Sequence, residues 1–258
     1  MVQTLAYPKK KQNTINRYDS RGTYDLRAIH HIINSTPVLH VSFAPNPEDP
    51  FPAILPMIGV MGSFEYPSAD LDEPLDCYLH GYVSSRIIRL ARNSPKGIPV
   101  CIAATKVDGL VLALTPNSHS YNYRSAVLQG YGQVVDTDQE KLYAMEKITN
   151  KVVPGRWEKT RIPPDNVEMT STAILRVKIE TGSGKVRQGG PHDDAKDENR
   201  ADITEKVWTG VVPVYETFDN PLSSATNKVD PIPEYILKYV QNTTAENRQL
   251  AHDAVKEP

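Results

Sequence analysis

Ile98-Pro99-Val100-Cys101-Ile102-Ala103-Ala104-Thr105 and Gly109-Leu110-Val111-Leu112-Ala113-Leu114 are two apolar runs on either side of Lys106-Val107-Asp108. Both are of strand length, and Asp-Gly between such runs is a strong hairpin signal. The spacing therefore predicts two antiparallel strands turning at Asp108-Gly109. Upstream, further strand patterns run over Val38–Phe43, Ala53–Met61 and Leu75–His80, with Pro56 marking an edge or a bulge. A turn rich in proline (Pro45, Pro47, Pro50) separates the first two. Downstream come a long strand over Tyr123–Val135, then Thr172–Ile179 and Val207–Tyr215.

Helical spacing marks only a few segments. Leu26, Ile29, Ile32 and Ile33 recur at helical intervals within Tyr24–Asn34, and Pro37 ends the pattern. A short helix is expected over Ser85–Asn93, an amphipathic one over Gln139–Val152, and a weak one near Tyr235–Val240. Strands dominate, joined by hairpins and not alternating strictly with helices. That order points to an antiparallel barrel with peripheral helices and away from a doubly wound fold.

The 258 residues are 39% hydrophobic and 23% charged, enough apolar material for a packed core. The formal charge is −2, which gives no support to nucleic-acid binding. No apolar run is long enough for a membrane span, and the start of the chain, with Lys9-Lys10-Lys11, lacks a signal-peptide core. Cys77 and Cys101 lie inside apolar runs and read as reduced thiols of a cytoplasmic protein. Residues 1–19 read as a flexible arm and 20–218 as one domain. Within it, 188–206 reads as a mobile insertion, and 219–258 follows as a C-terminal extension.

Three stretches carry candidate chemistry. Leu79-His80-Gly81-Tyr82-Val83-Ser84-Ser85-Arg86 leaves a strand, turns at Gly81 and opens a helix capped by Ser84 or Ser85. Backbone N–H groups at that helix start, with Arg86, suit an anion. On its own the stretch reads as readily as a capped helix with a solvated arginine. Asn117-Ser118-His119-Ser120-Tyr121-Asn122-Tyr123-Arg124-Ser125 offers rings, amides and a guanidinium to a planar heterocycle, or is a polar loop packed on the core. Lys185 and Arg187, two apart in an extended segment, face one side as an anion clamp or as a solvated edge. His192-Asp193-Asp194 suggests a metal, but its polar, glycine-rich surroundings favour a solvated loop.

Together these segments resemble the flavin-nucleotide-binding, pyridoxamine 5'-phosphate oxidase-like split barrels. The collinear matches are Leu79-His80-Gly81 with Ser85-Arg86, then Val107-Asp108-Gly109-Leu110-Val111-Leu112-Ala113 and His119–Ser125. Val153-Pro154-Gly155-Arg156-Trp157, Lys185-Val186-Arg187 and Val207-Trp208-Thr209-Gly210-Val211-Val212-Pro213 follow. The family's Arg-Ser after the Asp-Gly stretch is here Leu114-Thr115.

The resemblance implies a six-stranded antiparallel, Greek-key-like split barrel, a homodimer, and FMN at the subunit interface, acting on a small-molecule substrate. It implies that Ser85 and Arg86 hold the flavin phosphate, with His80, Gly81 and Ser84 also cofactor-binding. It places Tyr123, Arg124 and Ser125 along the ring, with Lys185, Arg187 and Trp208 closing the site. No residue is assigned as a catalytic acid or base. Alternatives are another flavin, a carrier that binds flavin without turnover, and a haem-binding relative with His80 or His119 as axial ligand.

Overall fold

The first helix shows how the sequence builds this molecule. In the computed structural model, Leu26–Ser35 forms α1, with Leu26, Ile29, Ile32 and Ile33 buried on its inner face. Asp25 caps it, its carboxylate accepting from the Ala28 amide at 2.8 Å. Lys151 closes the other end, its ammonium donating to the Ile33 and Thr36 carbonyls at 3.2 and 2.9 Å. Those carbonyls would otherwise lack a partner at the helix terminus. The structure describes residues 4–46, 48 and 50–257. Met1–Gln3 of the expected arm, Pro47 of the expected turn, Asp49 and Pro258 lie outside them.

The strands are β1 (Gly22–Thr23), β2 (Leu39–Phe43), β3 (Ala53–Met57), β4 (Gly59–Gly62) and β5 (Asp76–Tyr82). They continue with β6 (Ile98–Leu112), β7 (Ser120–Val134), β8 (Thr172–Arg187) and β9 (Gly210–Pro213). The other helices are α2 (Arg86–Arg92), α3 (Asp138–Val152), α4 (Asn166–Ser171), α5 (Ala195–Glu198), α6 (Ala201–Thr204) and α7 (Glu234–Asp253). The sheet runs β3-β2-β6-β7-β8-β5-β4, with β1 on β8 and β9 on β6. Its two ends, β3 and β4, are successive segments of one run divided only at Ile58. The chain itself thus joins the ends of the sheet and closes the barrel. The fold is mainly antiparallel β with peripheral helices.

Two compact units divide the residues: Met1–Thr105 with Ser125–Lys185, and Lys106–Arg124 with Val186–Pro258. The first holds the barrel core. Period-two alternation buries Leu39, Val41 and Phe43 of β2, Val100, Ile102 and Ala104 of β6, and Ala173, Leu175 and Val177 of β8. β5 is covered on both faces. Cys77 and Leu79 join that core, while Tyr78 faces a second cluster with Ala144 and Ile148 of α3. In the second unit, β9 pairs with the end of β6, Gly109 opposite Pro213 and Leu112 opposite Gly210.

Several expectations from the sequence are corrected. Asp108-Gly109 is not a turn: β6 continues straight through it. Asp108 is buried and ion-paired with Arg124, and a Cβ on Gly109 would lie 2.8 Å from Val211. Here Gly provides close strand approach and no reversal. β8 runs on to Arg187 through Gly182 and Gly184, which look strand-poor in sequence. A Cβ on Gly182 would sit 2.6 Å from the Tyr7 ring, so the small residue makes room for the arm. The weak helix near Tyr235–Val240 is the 20-residue α7, whose later half buries only small Ala251 and so shows no apolar stripe. The stretch 188–206 contains α5 and α6, and Asp193 accepts from the Leu114 amide at 3.0 Å. Among the described residues no group of His, Cys, Asp and Glu side chains could hold a metal ion. Nor is any helix long and apolar enough to cross a membrane.

Candidate functional site

The corner between β5 and α2 lies wholly in the first unit. Gly81 is buried near the end of β5, where a Cβ would meet Ile88 of α2 at 3.3 Å. Glycine there lets α2 fold back closely on the strand. Ser85 is the N-cap of α2, in extended conformation (φ −63°, ψ 149°), yet its side chain makes no capping bond. Its Oγ is buried and has no hydrogen-bond partner. A buried hydroxyl normally finds one, so this atom marks the corner as a place where a polar partner is missing. Arg86 follows, exposed, and the first turn carries no acidic residue. An unmatched hydroxyl, an uncapped helix start and, among the described residues, a guanidinium with no ion pair together fit a phosphate ester. Ser84 is exposed beside them.

His80 stands near the end of β5, its backbone amide donating to the Ile58 carbonyl at 2.9 Å. Desolvation pushes its imidazole pKa below the usual histidine value. His119 is exposed, its Nδ1 3.0 Å from the Thr115 carbonyl.

Elsewhere in the first unit, the Ser125 hydroxyl donates to the Lys185 carbonyl at 3.2 Å. The Lys185 ammonium donates to the Arg17 carbonyl at 2.7 Å and lies 5.9 Å from the centroid of the Tyr18 ring. Arg17 and Tyr18 carried no assignment in the sequence. The available signal was a pair of cations beside a tyrosine in an otherwise unpatterned arm.

The second unit holds the remaining candidates. Tyr123 is half-buried on β7. Arg124 grips Asp108 with two bonds of 2.8 Å, Nε to Oδ2 and Nη2 to Oδ1. Arg187 is 3% exposed and donates to Asn122 Oδ1 and to the Gly190 carbonyl, the latter at 2.9 Å. Asn122 in turn donates to the Gly189 and Ala254 carbonyls at 3.0 and 2.9 Å. The head groups of Lys185 and Arg187 thus take different partners. Asn122, fully buried, went unassigned as an individual residue because an asparagine entering a strand resembles a loop residue. Trp208 is 65% exposed, and its ring occupies the space a Cβ on Gly210 would need.

Comparison with known proteins agrees with this architecture. Flavocytochrome Anf3 from Azotobacter vinelandii is 27% identical, with a TM-score of 0.71 over 89% of this chain and 97% of that one. The FAD and heme binding protein from Mycobacterium smegmatis is 24% identical and shares the fold, with a TM-score of 0.69 over 85% of this chain and 97% of that one. No curated protein matches the sequence. The family model described as pyridoxamine 5'-phosphate oxidase matches residues 25–186, well over half of the chain. Strand order, barrel closure and this match lead to one conclusion: the chain belongs to the pyridoxamine 5'-phosphate oxidase family.

Proposed function

We propose that this protein binds a flavin nucleotide, FMN by the family resemblance, and serves as a flavin-dependent oxidoreductase acting on a small molecule. The observation that carries this reading is the buried, unpartnered Ser85 hydroxyl beside exposed Arg86 at the start of α2. In it, Ser85, Arg86 and the first amides of α2 bind the phosphate, and Gly81 brings strand and helix close enough to form the corner. When bound, the flavin supplies hydride or electron transfer, while the protein contributes binding, orientation and electrostatics. Ser125, in the same unit, is assigned to the ring by the family resemblance. The family resemblance also implies a homodimer in which the site is shared. Free thiols at Cys77 and Cys101 suit a cytoplasmic setting.

The absorption spectrum of the purified protein tests this. Near-ultraviolet and blue flavin bands are expected, and the mass of the released cofactor separates FMN from FAD. A colourless protein that takes up neither on addition would overturn the reading. Photoreduction followed by reoxidation with candidate acceptors divides an enzyme from a carrier.

A second reading adds haem. The 27% identity to a flavocytochrome across nearly all of both chains favours it, with His80 as the candidate axial ligand. An intense violet band that disappears in His80→Ala is its signature.

A further inference from the structure

We propose that Arg17, Arg21 and Lys185, gathered around the Tyr18 ring, form a docking site for the phosphate or pyrophosphate group of a small molecule. All four residues belong to the first unit. Arg21 Cζ lies 4.4 Å from the ring centroid, Arg17 Cζ 5.1 Å and Lys185 Nζ 5.9 Å. Three like charges so close repel one another, and the ring's electron-rich face offsets only part of that.

Carboxylates neutralise many surface arginines of this chain: Arg27 pairs with Asp72, Arg161 with Glu168 and Arg200 with Asp202. Among the described residues, Arg17, Arg21 and Lys185 form no ion pair. Asp19, next in sequence to Tyr18, turns its carboxylate to the Ser20 amide at 3.0 Å. The whole chain carries a formal charge of −2, so this concentration of positive charge is local.

The backbone maintains the arrangement. Tyr18 adopts φ 52° and ψ 57°, the left-handed region, which a tyrosine seldom occupies. It is the one non-glycine residue with positive φ among those described. Lys185 is tied to the arm by its bond to the Arg17 carbonyl, and Gly22 of β1 pairs with it on β8. The cations therefore come from both the arm and the barrel, with the ring 53% exposed between them. Hydrogen bonding from Arg17, then the charges of Arg17, Arg21 and Lys185, hold the Tyr18 hydroxyl below the usual tyrosine range. Every charge acting on that hydroxyl is positive.

A phosphate or pyrophosphate is the matching chemistry. It carries more than one negative charge and presents several oxygens to two forked guanidinium groups. The group could come from the flavin nucleotide itself or from a free phosphorylated metabolite. The site does not depend on the flavin reading, because pyrophosphate alone probes it.

The test is calorimetric titration of the purified protein with inorganic pyrophosphate, in low and high salt. Binding is expected to weaken with salt and to fall about tenfold in Arg17→Gln and in Arg21→Gln, with melting temperatures unchanged. Pyrophosphate should also move one tyrosine ionisation upward, and Tyr18→Phe should remove that signal. The titration is then repeated with FMN present in saturating amounts. Retention would assign the site to a ligand separate from the flavin; loss would place the flavin's phosphate here and overturn its assignment to Ser85 and Arg86. Either result upholds the site. No pyrophosphate binding, or equal binding in wild type and both variants, would overturn it.

Discussion

The Tyr7 hydroxyl lies 2.6 Å from Nε2 of His30, in the buried interior of the barrel unit. His30 Nδ1 is 2.7 Å from the Leu71 carbonyl. A carbonyl only accepts, so Nδ1 carries the proton and Nε2 accepts from Tyr7. Burial lowers the pKa of His30 from the ordinary histidine value of about 6.5. Unfolded chains therefore take up a proton that the folded protein resists. The stability from this pair is complete above about pH 6.5 and is lost as pH falls through the folded value. Denaturant titrations should show stability declining from pH 7 to 5, with a shallower decline in His30→Gln. Tyr7→Phe, which leaves Nε2 unmatched, should cost ~1–3 kcal/mol at pH 7.

Arg124 and Asp108 make the second test. Asp108 is 4% exposed and its two oxygens take both bonds from Arg124. Removing the guanidinium strands a buried carboxylate, so Arg124→Ala should lose about 3 kcal/mol. The double variant Arg124→Ala with Asp108→Ala should recover part of that loss. Thermal unfolding of the three proteins measures it, and a double variant as unstable as the two single losses added together would refute the coupling.

Gly130 carries a backbone prediction. A Cβ there would fall 2.0 Å from the Lys178 carbonyl oxygen, which belongs to the neighbouring strand and cannot turn aside. Gly130→Ala should therefore destabilise by about 3 kcal/mol or prevent folding. Gly155→Ala has open space, and its cost comes only from the positive φ of 70°. Melting temperatures of the pair should rank them clearly.

Flavin and assembly should be linked if the site is shared between two copies of the chain. Sedimentation at low protein concentration should show more dimer with FMN than without. A monomer that binds FMN at full affinity would contradict the shared site.

The barrel was legible because its strands obey simple alternation: Leu39, Val41 and Phe43 point inward with polar residues between them. α1 and α3 were legible from their apolar spacing. What was not legible depended on contacts distant in sequence. Asp108-Gly109 carries a turn signature, but burial beside Arg124 and Val211 makes it strand. Gly182 and Gly184 look like breakers until Tyr7 and Thr23 are seen filling the space beside them. For the site, Ser85 and Arg86 were visible from the strand-to-helix transition. The missing cap of Ser85 was not, because sequence alone predicts that a serine there satisfies its own helix. The Tyr18 cluster joins residues more than 160 positions apart, and no local pattern announces it.

The proposed role of Ser85 and Arg86 is to read a flavin's phosphate. Its most direct test compares FMN and riboflavin affinities in wild type, Ser85→Ala and Arg86→Ala, because the two flavins differ only in that group. Charge-assisted contacts contribute ~1.5–3 kcal/mol, so Arg86→Ala should weaken FMN about 10- to 150-fold and leave riboflavin unchanged. Ser85→Ala should weaken FMN less, with no loss of melting temperature, since its hydroxyl has no partner within the protein. Equal losses for the two flavins, or FMN affinity untouched by both substitutions, would contradict the claim.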